Sequence, residues 1–205
     1  MPLVIRPRAR KAIRRTAALT ALTLFGCTGV AFASCPPSPA STPFTHWGDN
    51  NAYFLAPGGS FEGPAGQVGW SRSQASLTAG NEPFYVNDTS DSQSLTIPAG
   101  GRATSPYFCV DDTMRSLRFF AEQTAPGTDL EVRAFVQTDG GVQEVSLADL
   151  TDGSMPNWAP TAPITADTSA IPSGGSVMVS LELLAPGWTG SWRVDDIYVD
   201  PYRSG

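Results

Sequence analysis

The chain has 205 residues, long enough to bury a core of ordinary size, and carries 13 basic residues against 19 acidic ones, with 20 glycines and 18 prolines. Six of the basic residues (Arg6, Arg8, Arg10, Lys11, Arg14 and Arg15) precede Ser34. Everything after it has seven arginines, no lysine and a net charge of −12. A surface of that sign repels nucleic acid and anionic lipid at long range, which disfavours both, and no nucleic-acid partner is expected.

In chain order, residues 1–33 read as a secretory signal peptide. A basic head leads into the apolar run from Thr16 to Phe25, and the small-residue stretch Ala31, Phe32, Ala33 closes it. The apolar run is shorter than the ~20 residues a spanning helix needs, so the expectation is cleavage near Ser34 and a secreted protein with no stable membrane insertion. The alternative is an uncleaved leader that anchors the protein at the outer face of the membrane.

Residues 34–50 form an extended segment, because the prolines between Pro36 and Pro43 fix φ and cannot donate to a ladder. Cys27 leaves with the leader, while Cys35 and Cys109 remain in an oxidising compartment. A bridge between them is expected, with two free buried thiols as the alternative.

Residues 51–205 then read as one β-sandwich domain. No stretch keeps helical periodicity over three turns. Strands are predicted over 68–77, 94–97, 105–110, 116–121, 130–137, 142–147, 176–183 and 191–199. Asp139, Gly140 and Gly141 make a hairpin turn between the fifth and sixth. The segment 176–183 alternates strictly, with Val177, Val179, Leu181 and Leu183 on one face. About eight strands at this spacing specify an all-β antiparallel sandwich or jelly roll, expected to be monomeric.

The chemistry of catalysis is sparse. The single histidine, His46, lies near Asp49 in a sequence that reads as a surface turn, and there is no Gly-x-Ser-x-Gly elbow. No acid pair stands in a glycosidase signature. The reading is a protein that is not an enzyme and requires no cofactor.

The opening Ala56-Pro57-Gly58-Gly59-Ser60-Phe61-Glu62-Gly63, then Gly69-Trp70, and the closing Val194-Asp195-Asp196-Ile197 resemble both ends of jelly-roll carbohydrate-binding modules of the galactose-binding-like class. The chain also resembles small secreted actinobacterial proteins of unassigned function. With these it shares the turn Gly80-Asn81-Glu82-Pro83, the strand around Cys109, Leu117-Arg118-Phe119-Phe120, and an ending from Asp195 to Tyr202.

The first resemblance implies a structural calcium ion held by Glu62 and Asp195; carboxylates and turn carbonyls are the ligands calcium takes, and the spacing identifies no third carboxylate, with Asp88 and Asp91 both available. The residues alone leave open an exposed acid pair with no ion. The same resemblance implies a non-catalytic binding module for a glycan or another cell-envelope component. The alternative is a structural or protein-interaction component of the cell surface with no small ligand. Sugar binding needs flat aromatic faces with polar neighbours. Trp158, Trp188 and Tyr85, with Asn81 beside the last, are the loop residues that could supply them. Trp70 and Trp192 read as core.

Overall fold

The computed structural model describes residues 35–64, 68–167, 171 and 173–200. The leader, and Pro201 and Tyr202 of the closing motif, lie outside the described residues. Those residues hold thirteen strands: β1 (Phe54–Leu55), β2 (Ser71–Ser73), β3 (Ser76–Ala79), β4 (Gln93–Pro98), β5 (Arg102–Thr104), β6 (Phe108–Asp111), β7 (Ser116–Ala125), β8 (Leu130–Thr138), β9 (Gly141–Leu150), β10 (Ala159–Pro160), β11 (Ile164–Thr165), β12 (Ser176–Leu184) and β13 (Ser191–Asp200). They form two sheets in which every pairing is antiparallel. The first runs β10-β7-β13-β4-β3, with β11 also on β7 and β1 also on β13. The second runs β2-β5-β12-β8-β9, with β6 also on β12.

Alternation places the core between the sheets. Val179, Leu181 and Leu183 of β12 point inward with Val132 of β8, and meet Phe119, Trp192 and Val194 of the first sheet. Each such side chain contributes roughly 1.5–3 kcal/mol by leaving water. The predicted strand 68–77 is two strands. Gln74 takes φ 58° and turns the chain, so β2 joins the second sheet and β3 the first. Residues 159–165, for which no strand is predicted, also contribute two short strands, β10 and β11, to the edge of the first sheet.

The N-terminal segment is a strap across the outside of the first sheet. Cys35 is bridged to Cys109, with their Cα atoms 5.5 Å apart, which ties the strap to β6. Ser41 pairs with Tyr53, and between them a 3-10 turn, Thr45–Trp47, presents Phe44 to the sheet. Phe44 is fully buried: it stacks on Phe120, meets Tyr53 and Tyr198 edge-on, and receives the Arg118 guanidinium 4.2 Å from its ring centre. Arg118 in turn pairs with Asp49 at 2.7 Å.

Candidate functional site

Three places concentrate polar and aromatic chemistry. The first is a knot of acids where β13 breaks its register. Between Asp195 and Tyr198 the ladder with β7 slips, Asp196 adopts φ 48°, and Ile197 turns to pair with the opening segment. Its N–H donates to the Gly59 carbonyl at 3.1 Å and its carbonyl accepts from Ala56 N–H at 2.8 Å. Gly59 is required there, because a Cβ would sit 2.9 Å from the Ile197 oxygen. The bulge overrides simple alternation, so both Asp195 and Asp196 are buried rather than one on each face.

Their surroundings differ. Asp195 accepts from the backbone N–H groups of Glu82 and Asp196. Glu82, fully buried, accepts from Phe84 N–H at 2.5 Å and Val86 N–H at 2.7 Å, so it folds its own loop around itself. Glu62 accepts from Ser92 and Gln93 N–H, both at 2.6 Å, and Asp91 accepts from the Asn87 amide. Among the described residues, Asp196 alone keeps both carboxylate oxygens buried with no hydrogen-bond partner of normal geometry.

Burial first, and the neighbouring Asp196 charge next, push Asp195 up to about 9. Burial, then the charges of Glu82 and Asp91, push Asp196 up to about 8, while the backbone N–H of Asn87 partly offsets this. Glu82 is also raised, by burial, against the pull of its backbone donors. A buried carboxylate with unused oxygens among other acids demands either a proton or a cation.

Among the described residues no three acids, histidines or cysteines converge as a ready-made metal centre. A calcium ion nevertheless fits the donor chemistry if Asp196 is the principal carboxylate, Glu62 and Asp91 stand near it, and backbone carbonyls complete the shell. Asp195 and Glu62 both accept backbone N–H groups, whereas the oxygens of Asp196 have no partner of normal geometry. Of the two candidates for a third carboxylate, Asp91 contributes to the raised pKa of Asp196, whereas Asp88 bonds Ser90 within its own turn.

The second place is the outer face of the first sheet. Trp158 lies with its ring centre 5.4 Å from the Arg193 guanidinium, which also donates to Ser94 Oγ and the Gly80 carbonyl and lies 3.7 Å from Glu122. Asn81 follows Gly80 directly, and its side-chain oxygen is buried without a partner. Arg193 and the Gly80–Asn81 turn therefore sit beside Trp158. Tyr85, 49% exposed, belongs to the Glu82 loop next to Phe84, which packs edge-on against Trp47. Trp158 is half-buried against the Phe44–Phe120 cluster, so one side of it is structural.

The third place is the turn between β12 and β13, at which Trp188 is 99% exposed. The turn is pinned on both sides. Gly100 N–H donates to Ala185 O, Gly187 N–H to Thr128 Oγ1, and Ala99 N–H to Gly190 O. At Gly187 a Cβ would lie 2.7 Å from the Gly127 oxygen. Beside the turn is a cleft of about 300 Å³ lined by Gly127, Thr128, Asp129, Asp152, Pro186 and Gly187. The hydrogen bonds of Asp129 and Asp152 go to Oδ1 of each, which leaves each Oδ2 as an acceptor for a hydroxyl.

Two features were missed from sequence. On the outer face of the second sheet, Glu182 is only 7% exposed, between Thr104, whose hydroxyl donates to it, and Arg133. Tyr107 is well exposed beside that sheet. The alternation of β12 signalled an outward Glu182, but not that its neighbours would cover it. His46 is exposed on the 3-10 turn, while Asp49 bonds Tyr53 and Arg118, so the two form no dyad.

No protein-family profile and no curated protein sequence matches the chain. Solved structures do. The tandem CBM22-1–CBM22-2 domain of Paenibacillus barcinonensis Xyn10C aligns with 84% of this chain and 49% of its own at 13% identity, TM-score 0.51. The fold is that of the jelly-roll carbohydrate-binding modules. The CBM22-1 xylan-binding domain of the same protein aligns over 69% of this chain and 90% of its own at 14% identity, TM-score 0.45. The C-terminal CBM6 of LamC from Zobellia galactanivorans aligns over 63% and 90% at 12% identity, TM-score 0.39. In this jelly roll, Trp158, Asn81 and Tyr85 belong to the first sheet's outer side and its loops, and Trp188 to the β12–β13 turn.

Proposed function

We propose that this protein is a secreted, non-catalytic glycan-binding module whose primary contact is Trp188. The observation that carries the reading is the fully exposed indole on a turn held by three hydrogen bonds, next to two carboxylates with spare acceptors. A pyranose ring presents C–H groups to an aromatic face and hydroxyls to acceptors beside it, and this arrangement supplies both. The jelly-roll fold, shared with the CBM22-1–CBM22-2 tandem domain, supports the same class of ligand. The leader-like residues 1–33 support secretion.

A structural calcium ion at Asp196 belongs to the same proposal; when bound it would supply the countercharge that the buried acids lack. Glu62 and Asp91 would help to hold it.

The exposed Phe84–Tyr85 pair beside Trp47 favours a second reading, a protein-contact surface without a glycan. Depletion-binding isotherms of the purified protein against a panel of insoluble polysaccharides and cell walls separate the two. Binding to one polymer that Trp188→Ala abolishes supports the glycan reading. Absence of binding to every polymer by the folded protein moves the search to protein partners.

A further inference from the structure

The cleft beside Trp188 has one-sided chemistry. Its walls are turns held to the core, where Trp192 Nε1 and Gln123 Nε2 donate to the Thr128 carbonyl at 2.9 and 3.0 Å. Donors in these turns are spent internally. Gly127 N–H donates to Asp152 Oδ1 and Asp152 N–H to Asp129 Oδ1. Gly187 N–H donates to Thr128 Oγ1, whose own proton goes to the Asp129 carbonyl. What remains for a ligand is the second oxygen of Asp129 and of Asp152, both of which line the cleft. No ion pair among the described residues reaches either carboxylate; the paired arginines meet Asp49, Glu122, Glu131 and Glu144. Beyond Ser34 the chain has no lysine and a net charge of −12, so the field of the whole molecule reinforces the local one.

A site with acceptors to offer and its donors spent sorts ligands by what they donate. A sugar hydroxyl brings one proton along with lone pairs, and an acetamido group brings a carbonyl that needs a donor in return. An ammonium brings donors only, and a positive charge. Its bonds to carboxylates are roughly twice as strong as neutral ones, and it is also attracted to an indole face. Two unpaired carboxylates next to the fully exposed Trp188 suit that group best.

We propose, resting on the glycan reading of this turn, that the ligand is a glycan with free amino groups, of which polymeric glucosamine is the simplest case. Asp129 and Asp152 hold the ammonium, and a pyranose ring of the same chain lies on Trp188.

Soluble hexamers of β-1,4-linked glucosamine, of N-acetylglucosamine and of glucose are the probes, titrated calorimetrically at pH 6, which keeps the amine protonated. The glucosamine hexamer should bind about tenfold more tightly than the other two. Asp129→Asn and Asp152→Asn each keep Oδ1 and its backbone bonds but put a donor where the free oxygen was. Each should weaken glucosamine binding about fivefold or more with little change in Tm, and Trp188→Ala should abolish it. If the N-acetyl or glucose hexamer binds through Trp188 as tightly as the amine, the amino-sugar assignment is overturned and the glycan reading stands. Glucosamine binding that survives Trp188→Ala, or both aspartate variants, also overturns it and marks diffuse attraction to an acidic surface. Absence of binding by all three hexamers overturns it too, and the polysaccharide panel then decides the glycan reading separately. Should an aspartate variant fail to fold, the three hexamers on wild-type protein decide.

Discussion

Single residues divide into those that hold the fold and those free to meet a ligand. Trp188 and Trp158 illustrate the split. Removing a fully exposed indole breaks no packing, so Trp188→Ala should shift unfolding by less than about 0.5 kcal/mol while removing polysaccharide binding. Trp158 is half-buried and lies over Arg193, and a cation–π contact contributes ~0.5–1 kcal/mol at such sites. Trp158→Ala should therefore lower Tm, and parallel melts and binding isotherms of the two variants check the contrast. Asp196 is a third kind of residue. Its carboxylate is buried with unused oxygens, so in metal-free protein Asp196→Asn should raise Tm at pH 8, and it should also remove any stabilisation by calcium.

At the level of elements, the strap and the β13 bulge depend on contacts far apart in sequence. Phe44 holds the strap on Phe120 and Tyr198, and truncating a buried phenylalanine costs ~3–5 kcal/mol. Phe44→Ala should lower stability by that order and raise amide exchange across residues 41–53, measurable by mass spectrometry. Cys35→Ser should cost ~2–5 kcal/mol through the lost bridge to Cys109.

These elements also show where the sequence was legible. The strict alternation of 176–183 specified β12 and its inward face, because a half-buried strand needs nothing beyond period two. The segment 68–77 did not, since a glutamine at φ 58° leaves no residue-type signal for the turn that separates β2 from β3. Alternation by itself would put Asp195 and Asp196 on opposite faces. The bulge that buries both arises from docking against Gly59 and Ala56, some 140 residues earlier in the chain. Trp188 was legible as a loop aromatic from Pro186, Gly187 and Gly190 around it. The strap's use of Phe44 was not, because nothing local distinguishes it from a core phenylalanine.

Across the whole molecule the acid knot joins the opening segment, the loop before β4 and the last strand, so its protonation is a property of the fold. Glu82, Asp195 and Asp196 all titrate above the unfolded value, which lies near 4 for carboxylates. The folded state therefore binds more protons than the unfolded chain between about pH 4 and about pH 9, and their contribution to stability falls as pH rises through that window. Metal-free protein should lose Tm from pH 5 to pH 8, calcium should restore it at pH 8, and Asp196→Asn should flatten the dependence. Calorimetric melts with chelator and with calcium test this.

The central claim, that Trp188 is the contact residue of a glycan-binding jelly roll, is tested most directly by acrylamide quenching of tryptophan fluorescence with and without bound polysaccharide. Trp70 and Trp192 are buried, so the exposed Trp188 is the most quenchable indole. Saturating polysaccharide should shield it, leaving quenching close to that of free Trp188→Ala. Quenching that is unchanged on a polymer the protein demonstrably binds would contradict the account.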